Sequence, residues 1–151
     1  MAATDIAFLS ATELGSAIQS KEVSPVEAVE AYLERIERID PQVNAYITVC
    51  ADQARQEALQ AEAEIRRGEY RGPLHGIPMG IKDQIYTKGI RTTDGSKIRS
   101  DFVPKIDATV VTNLKKAGAI LLGKRELKIP CARKWNVRLV LICRASLPIR
   151  S

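Results

Sequence analysis

Residues 107–124 read DATVVTNLKKAGAILLGK, and this helix-then-strand pattern constrains the fold more than any other feature of the sequence. Asp107 is expected to cap a helix with apolar residues at helical spacing. Gly118 can end that helix in the left-handed conformation. The following run, residues 119–122, is apolar throughout, as in parallel strands whose two faces are both buried. The segment therefore predicts a compact unit of an α/β fold.

The rest of the sequence repeats the alternation of helices and short strands. Serines at positions 10 and 24 each precede a glutamate by three residues, which is the capping-box pattern at a helix start. The first pattern predicts a helix over residues 11–20. The second predicts a helix that stops near Asp40, before Pro41. Residues 45–49 are expected to form a strand.

A third helix is predicted over residues 51–67, where small side chains recur at helical spacing. The stripe consists of Ala51, Ala54, Ala58, Ala61 and Ile65. Such a stripe indicates a face that packs closely against a neighbour, and Gly68 can provide the left-handed cap. Together these elements predict an α/β fold.

The length and amino-acid composition limit the kinds of protein that this chain can be. With 151 residues the chain has room for one domain, and 45% hydrophobic with 27% charged residues is typical of a globular protein. No apolar run approaches the roughly 18 residues of a membrane span, and the start lacks the pattern of a signal peptide. Cys50, Cys131 and Cys143 lack metal-ligand spacing, and the sequence has one histidine. We therefore expect reduced thiols, a cytoplasmic location, no metal and no membrane contact.

The net charge of +5 is unevenly distributed. Residues 125–151 hold seven basic residues and one acidic residue, whereas residues 1–124 hold 16 basic and 17 acidic ones. This asymmetry marks a boundary between a body, 1–124, and a basic tail, 125–151. The arginines of the tail lack the aromatic or glycine-rich pattern of known nucleic-acid modules, so nucleic-acid binding is not favoured.

The stretch GPLHGIPMGIKD, residues 72–83, contains the strongest candidate for chemistry. Ile77, Met79 and Ile81 alternate as in a strand, and the strand ends on Lys82. One interpretation is a surface lysine beyond a strand end. The other is a lysine drawn into apolar surroundings, where desolvation lowers the amine pKa and makes it a general base.

This stretch resembles the amidase signature family. The similarity includes LSATEL at 9–14, SPVE at 24–27, Asn44-Ala45-Tyr46 and, after GPLHGIPMGIKD, the segment 107–124. The resemblance implies the N-terminal part of the amidase signature fold, a mixed sheet flanked by helices. It also implies that Lys82 is the lysine of a Ser–cis-Ser–Lys triad that hydrolyses carboxamides without a cofactor. The lysine takes a proton through the cis-serine, so that the other serine can attack the carbonyl.

The resemblance ends near residue 124, so the fold is expected to be incomplete. The family continues with a glycine-rich loop and then a Gly/Ser-rich stretch that holds the cis-serine, with the nucleophilic serine beyond it. The tail contains no glycine, and its serines, Ser146 and Ser151, lie in neither context. We therefore expect the chain alone to be inactive. A frameshift or a truncation would explain such a divergent tail. Alternatively, the tail is a purposeful basic extension. The DNA after codon 124, read in three frames, distinguishes these explanations.

Three other features have structural interpretations. His75, between turn residues, is expected to anchor a loop. Asp83 is expected to cap the next turn or to hold Lys82. In the tail, Trp135 and the apolar run 137–143 indicate an unpaired strand that favours aggregation.

Three functions remain open at this point. The first is an amidase acting on a small-molecule amide. The second is the A subunit of a glutamine-dependent aminoacyl-tRNA amidotransferase, which would add partner subunits. The third is a non-catalytic protein whose basic tail binds an acidic partner.

Overall fold

The computed structural model describes residues 6–126. These residues form four α-helices, three β-strands and one 3₁₀ turn, Lys97–Arg99. In chain order the main elements are α1 (Ala11–Gln19), α2 (Pro25–Val43), β1 (Tyr46–Val49), α3 (Ala51–Arg66), β2 (Pro78–Lys82), α4 (Thr109–Lys116) and β3 (Ile120–Arg125). None of the described helices is long and apolar enough to cross a membrane.

The three strands form one mixed sheet in the order β1-β3-β2. β1 is antiparallel to β3, and β2 is parallel to β3. The parallel pair places Ile81 opposite Lys124 and Lys82 opposite Arg125, so two lysines lie near the same end of the sheet. Helices and a mixed sheet confirm the α/β class predicted from the alternating pattern.

Strand β3 lies in the middle of the sheet, and other side chains cover both of its faces. On one face, Ile120 and Leu122 pack with α2 and α3 in a buried cluster. On the other face, Leu121 packs with Ile81, Ile90 and Val111. Each fully buried Leu or Ile side chain contributes about 1.5–3 kcal/mol. This two-sided burial explains why the strand is apolar throughout rather than alternating.

The alanine stripe of α3 packs as predicted. Ala54, Ala58 and Ala61 are buried in the same cluster as Val29 and Leu33 of α2. Small side chains allow the two helix backbones to approach, which fixes α3 against α2 and β3.

Both predicted capping boxes are present, at Ser10 and at Ser24. The predicted end of α2 is wrong, because the helix continues through Pro41 to Val43. It ends where Asn44 adopts a left-handed φ of 48° and donates its backbone N–H to Asp40 O at 2.7 Å. A proline in the last turn loses only one backbone hydrogen bond, which this closure of the helix end offsets.

The predicted cap of α4 is also wrong. Ala108, and not Asp107, is the N-cap residue, and it makes no side-chain cap. The Asp107 carboxylate instead accepts hydrogen bonds from the Lys88 N–H at 2.7 Å and from Lys115 Nζ at 2.8 Å. Asp107 therefore ties the preceding loop to the far end of α4.

Candidate active site

Lys82 is the last residue of β2, and its side chain is exposed. The strand places Ile81 in the core, with 6% exposure, and turns the next side chain outward. Within residues 6–126 no hydrogen bond or ion pair engages Lys82 Nζ. Residues 6–126 leave the Lys82 side chain exposed, so the described part of the chain does not produce the desolvation that the sequence predicted for its amine.

Asp83, the next residue, is completely buried and has a structural contact. Its carboxylate accepts hydrogen bonds from the Thr93 backbone N–H, at 2.9 and 3.1 Å to the two oxygens, and from Thr93 Oγ1. Its own N–H donates to Arg125 O of β3 at 3.0 Å. Asp83 therefore fixes the chain immediately after Lys82 to both a neighbouring loop and the central strand.

Lys124 is a second lysine at this end of the sheet, and sequence reasoning missed it. Its side chain is fully buried, and Nζ donates to Ile85 O and, at 3.0 Å, to Thr87 Oγ1. Burial lowers the pKa of the Lys124 amine, while the nearby Asp83 carboxylate opposes this shift. The available signal was that the apolar run 119–122 is followed within two residues by a lysine, much as the run from Ile77 to Ile81 is followed by Lys82.

The arrangement therefore contains an exposed amine on a fixed support. Lys124 holds the turn that follows β2, and Asp83 holds the same turn from inside. An amine in this position can act as a base when a further part of the protein covers it, because desolvation favours the neutral form. No serine hydroxyl of residues 6–126 hydrogen bonds to Lys82.

His75 anchors a loop, as the sequence indicated. It is 1% exposed, and its Nδ1 accepts the Arg71 backbone N–H at 3.2 Å. Because Nδ1 accepts, the neutral ring carries its proton on Nε2. Nε2 lies 3.1 Å from Glu64 Oε2, although the two groups are not aligned for a hydrogen bond. The ring fills the space beside Gly118, where a Cβ atom would overlap it.

We expect His75 to make the stability of the chain pH-dependent. Burial lowers its pKa below the ordinary 6.5, Glu64 raises it and Arg71 lowers it. The unfolded chain therefore binds a proton at higher pH than the folded chain, so acidification through this range favours unfolding. The free energy of unfolding, measured by urea titration, should fall between about pH 7.5 and about pH 5.5.

His75→Gln is the matched control for this dependence, because the sequence has no other histidine. Its absolute stability can be lower, but its slope with pH in this window should be close to zero. An unchanged slope in the variant would assign the effect to another group.

A cavity of about 170 Å³ lies beside His75 and between α3 and α4, and Lys82 does not line it. Its polar lining consists of Glu57, Gln60, Glu64, Arg71, His75 and Lys115. Among residues 6–126, no group of three or more histidine, cysteine, aspartate or glutamate side chains could hold a metal ion. Cys50 is free, and burial raises the pKa of its thiol.

Apart from Arg125, which ends β3, and Glu126, the tail lies outside the described part of the chain, and so do the predictions for it. These are the frameshift or binding role of 125–151, the apolar run 137–143 with Trp135, the thiols of Cys131 and Cys143, and the exclusion of Ser146 and Ser151 as nucleophiles.

Comparisons of the sequence and of the structure with known proteins agree on one family. The family model described as Amidase matches residues 27–129. The A subunit of the glutamyl-tRNA(Gln) amidotransferase from Moorella thermoacetica is 48% identical over 123 residues, which are 82% of this chain and 25% of that protein. The corresponding protein from Geobacter sp. strain M21 is 51% identical over 120 residues, 80% of this chain and 24% of that protein. The chain thus spans about a quarter of the length of these curated relatives.

Solved structures agree with the sequence relatives. The native peptide amidase from Stenotrophomonas maltophilia superposes with a TM-score of 0.76 at 36% identity, covering 83% of this chain and 26% of that one. Fatty acid amide hydrolase superposes with a TM-score of 0.77 at 28% identity, covering 82% of this chain and 22% of that one. A family match over residues 27–129, close curated relatives and the shared fold lead to one conclusion: the chain belongs to the amidase signature family, of which it represents an N-terminal portion.

Proposed function

We propose that this chain supplies the lysine base of an amide hydrolase, and that Lys82 is that base. The observation that carries the proposal is the position of Lys82 at the end of β2. It combines the GIP-x-x-x-KD pattern with an exposed amine on a turn held by Asp83 and Lys124.

The proposed reaction is hydrolysis of a carboxamide C–N bond. A serine nucleophile attacks the carbonyl and transfers its proton through a second serine to the neutral Lys82 amine. The lysine then returns the proton through the same serine to the leaving amine, and water releases the acyl group. The two serines come from the part of an amidase that follows the matched region, so the chain alone lacks the nucleophile. The proposed reaction uses no metal or cofactor.

The relatives favour one form of this function. The Moorella and Geobacter proteins are named as A subunits of a glutamyl-tRNA(Gln) amidotransferase, whereas several solved neighbours are amidases. We propose the role of an amidotransferase A subunit, in which glutamine is the amide and partner subunits receive the ammonia, with a free-standing amidase as the second candidate. Either form would work in the cytoplasm. The frameshift or truncation proposed for the tail fits both forms.

The test is ammonia release by a joined enzyme, defined as residues 1–126 of this chain followed by the part of the Moorella protein beyond its matched region. Glutamine hydrolysis in excess of hydrolysis of a simple aliphatic carboxamide supports the amidotransferase role. The reverse preference supports the amidase. No release with either substrate from a folded joined enzyme would refute the proposed function.

A further inference from the structure

The side chain of Lys124 is the largest that the described residues bury completely, and the proposed reaction assigns it no step. A lysine is almost never fully buried unless its amine is paired, because taking an ammonium group out of water is costly. Lys124 lies opposite Ile81 of β2, a core residue that packs with Ile90, Val111 and Leu121. An apolar side chain would fit such surroundings without that cost, so the amine itself requires an explanation.

The Lys124 amine binds the turn that follows β2. Its Nζ donates to Ile85 O and, at 3.0 Å, to Thr87 Oγ1. The Thr87 hydroxyl in turn donates to Ile85 O at 3.1 Å, which closes a ring of three hydrogen bonds. Thr87 and Lys124 are both completely buried, so water does not compete for these contacts, and the low dielectric strengthens them. The lysine therefore holds the Ile85 carbonyl in one position.

Ile85 connects this ring of hydrogen bonds to Lys82. The Ile85 N–H donates to Lys82 O at 3.0 Å, and the N–H of the same peptide group, on Asp83, donates to Arg125 O at 3.0 Å. Both polar groups of the Lys82–Asp83 peptide are therefore hydrogen bonded, one to the turn and one to β3. Because that peptide is planar, its orientation sets the position of the Lys82 Cα atom and the direction in which the amine extends.

We propose that Lys124 is a positioning residue for the Lys82 base, and that it acts through Ile85 on the peptide from which the base extends. This inference rests on the proposed function, because the position of Lys82 affects turnover only if its amine moves a proton. A base must lie within hydrogen-bond reach of the hydroxyl that it serves. Lys124 acts through the backbone of the turn and not on the bound amide, so its loss should lower kcat and leave KM nearly unchanged.

The backbone order parameter of the Ile85 N–H, measured by NMR relaxation in the full chain, tests whether Lys124 fixes the turn. Lys124→Met keeps an unbranched apolar stem and removes the amine. The order parameter should fall from about 0.85 in the parent chain to about 0.6 in this variant. This measurement reports on the folded state and requires no activity.

Turnover of the joined enzyme tests whether the fixed turn matters for catalysis. Lys124→Met should lower kcat for amide hydrolysis about 10–100-fold, because a displacement of about 1 Å at a catalytic group is sufficient for a loss of that size. KM should change by less than about twofold.

Ile65→Ala is the matched control for a general loss of stability. Ile65 is 6% exposed and packs with Ile18 and with Ile77, which precedes β2 at the end opposite Lys82. The substitution opens a cavity and destabilises the domain without touching the turn. It should leave the Ile85 order parameter unchanged and kcat within about twofold of the parent value, measured where the enzyme is fully folded.

Two substitutions of Thr87 provide the test if the Lys124→Met enzyme does not fold. Thr87→Val keeps the shape of the side chain and removes the hydroxyl that Lys124 binds, whereas Thr87→Ser keeps that hydroxyl. Loss of one hydrogen bond from the ring should lower kcat at least about fivefold in Thr87→Val. Thr87→Ser should retain about half of the parent kcat or more.

Four results would overturn the proposal. These are an unchanged Ile85 order parameter in Lys124→Met, a parent-level kcat in that variant when it is folded, an equal loss of kcat in Ile65→Ala, and equal losses in Thr87→Val and Thr87→Ser. Lys82→Ala separates this inference from the proposed function. Near-parent turnover with Lys82→Ala refutes both, whereas loss of turnover with Lys82→Ala but not with Lys124→Met refutes the positioning role alone.

Discussion

Replacing Lys82 by alanine in the joined enzyme is expected to lower kcat for amide hydrolysis by about 10³-fold or more. The members of a catalytic triad act as a unit, so loss of the base leaves the serine as a weak nucleophile. KM should change little, because the amine acts on the nucleophile and not on the bound amide. Ammonia release at saturating substrate provides the measurement.

Lys88→Ala provides the control for this substitution. Lys88 is also an exposed lysine near the end of β2, and its backbone N–H donates to Asp107. Its substitution should leave kcat within about twofold of the parent value. A Lys82→Ala enzyme with near-parent turnover would identify Lys82 as an ordinary surface lysine.

Gly118→Ala is expected to destabilise the full chain by about 3–4 kcal/mol. Gly118 has a φ of 81°, which costs an alanine about 1–2 kcal/mol. The added Cβ would also overlap the buried ring of His75, whose Nδ1 accepts the Arg71 backbone N–H. Urea unfolding measures the change.

Gly68→Ala isolates the steric part of that effect. Gly68 has a φ of 86° and also follows a helix, but a Cβ there would meet nothing within 4 Å. Its substitution should therefore cost only the backbone strain, about 1–2 kcal/mol. Equal losses from the two substitutions would show that His75 and its neighbours move aside at no cost.

Local signals in the sequence were sufficient for much of the fold. Both capping boxes, the alanine stripe of α3 and the glycine that ends α4 depend on residues three or four apart, and the structure contains all of them. The apolar run 119–122 predicted a buried strand, and the sheet places β3 between β1 and β2.

The environments of the two lysines depended on contacts that are distant in sequence. Lys82 is the last residue of β2 and Lys124 the last but one of β3, yet one is exposed and the other completely buried. Their difference depends on the turn at 85–87, whose carbonyl and hydroxyl groups accept the Lys124 protons. The spacing of apolar residues along the sequence does not predict a contact between Lys124 and a turn almost 40 residues away. Asp107 is a second example. The sequence pattern predicted that its carboxylate caps α4, but the carboxylate instead accepts a hydrogen bond from the backbone N–H of Lys88, 19 positions away.

We propose that this chain holds the base of an amide hydrolase and that the serine nucleophile comes from the polypeptide that follows the matched region in the relatives. The decisive measurement is ammonia release from glutamine and from a simple carboxamide, with the full chain, the joined enzyme and the Lys82→Ala form of each. We predict release by the joined enzyme alone, and its loss with Lys82→Ala. Sustained, Lys82-dependent release by the full chain without its partner, or no release by a folded joined enzyme, would contradict the account.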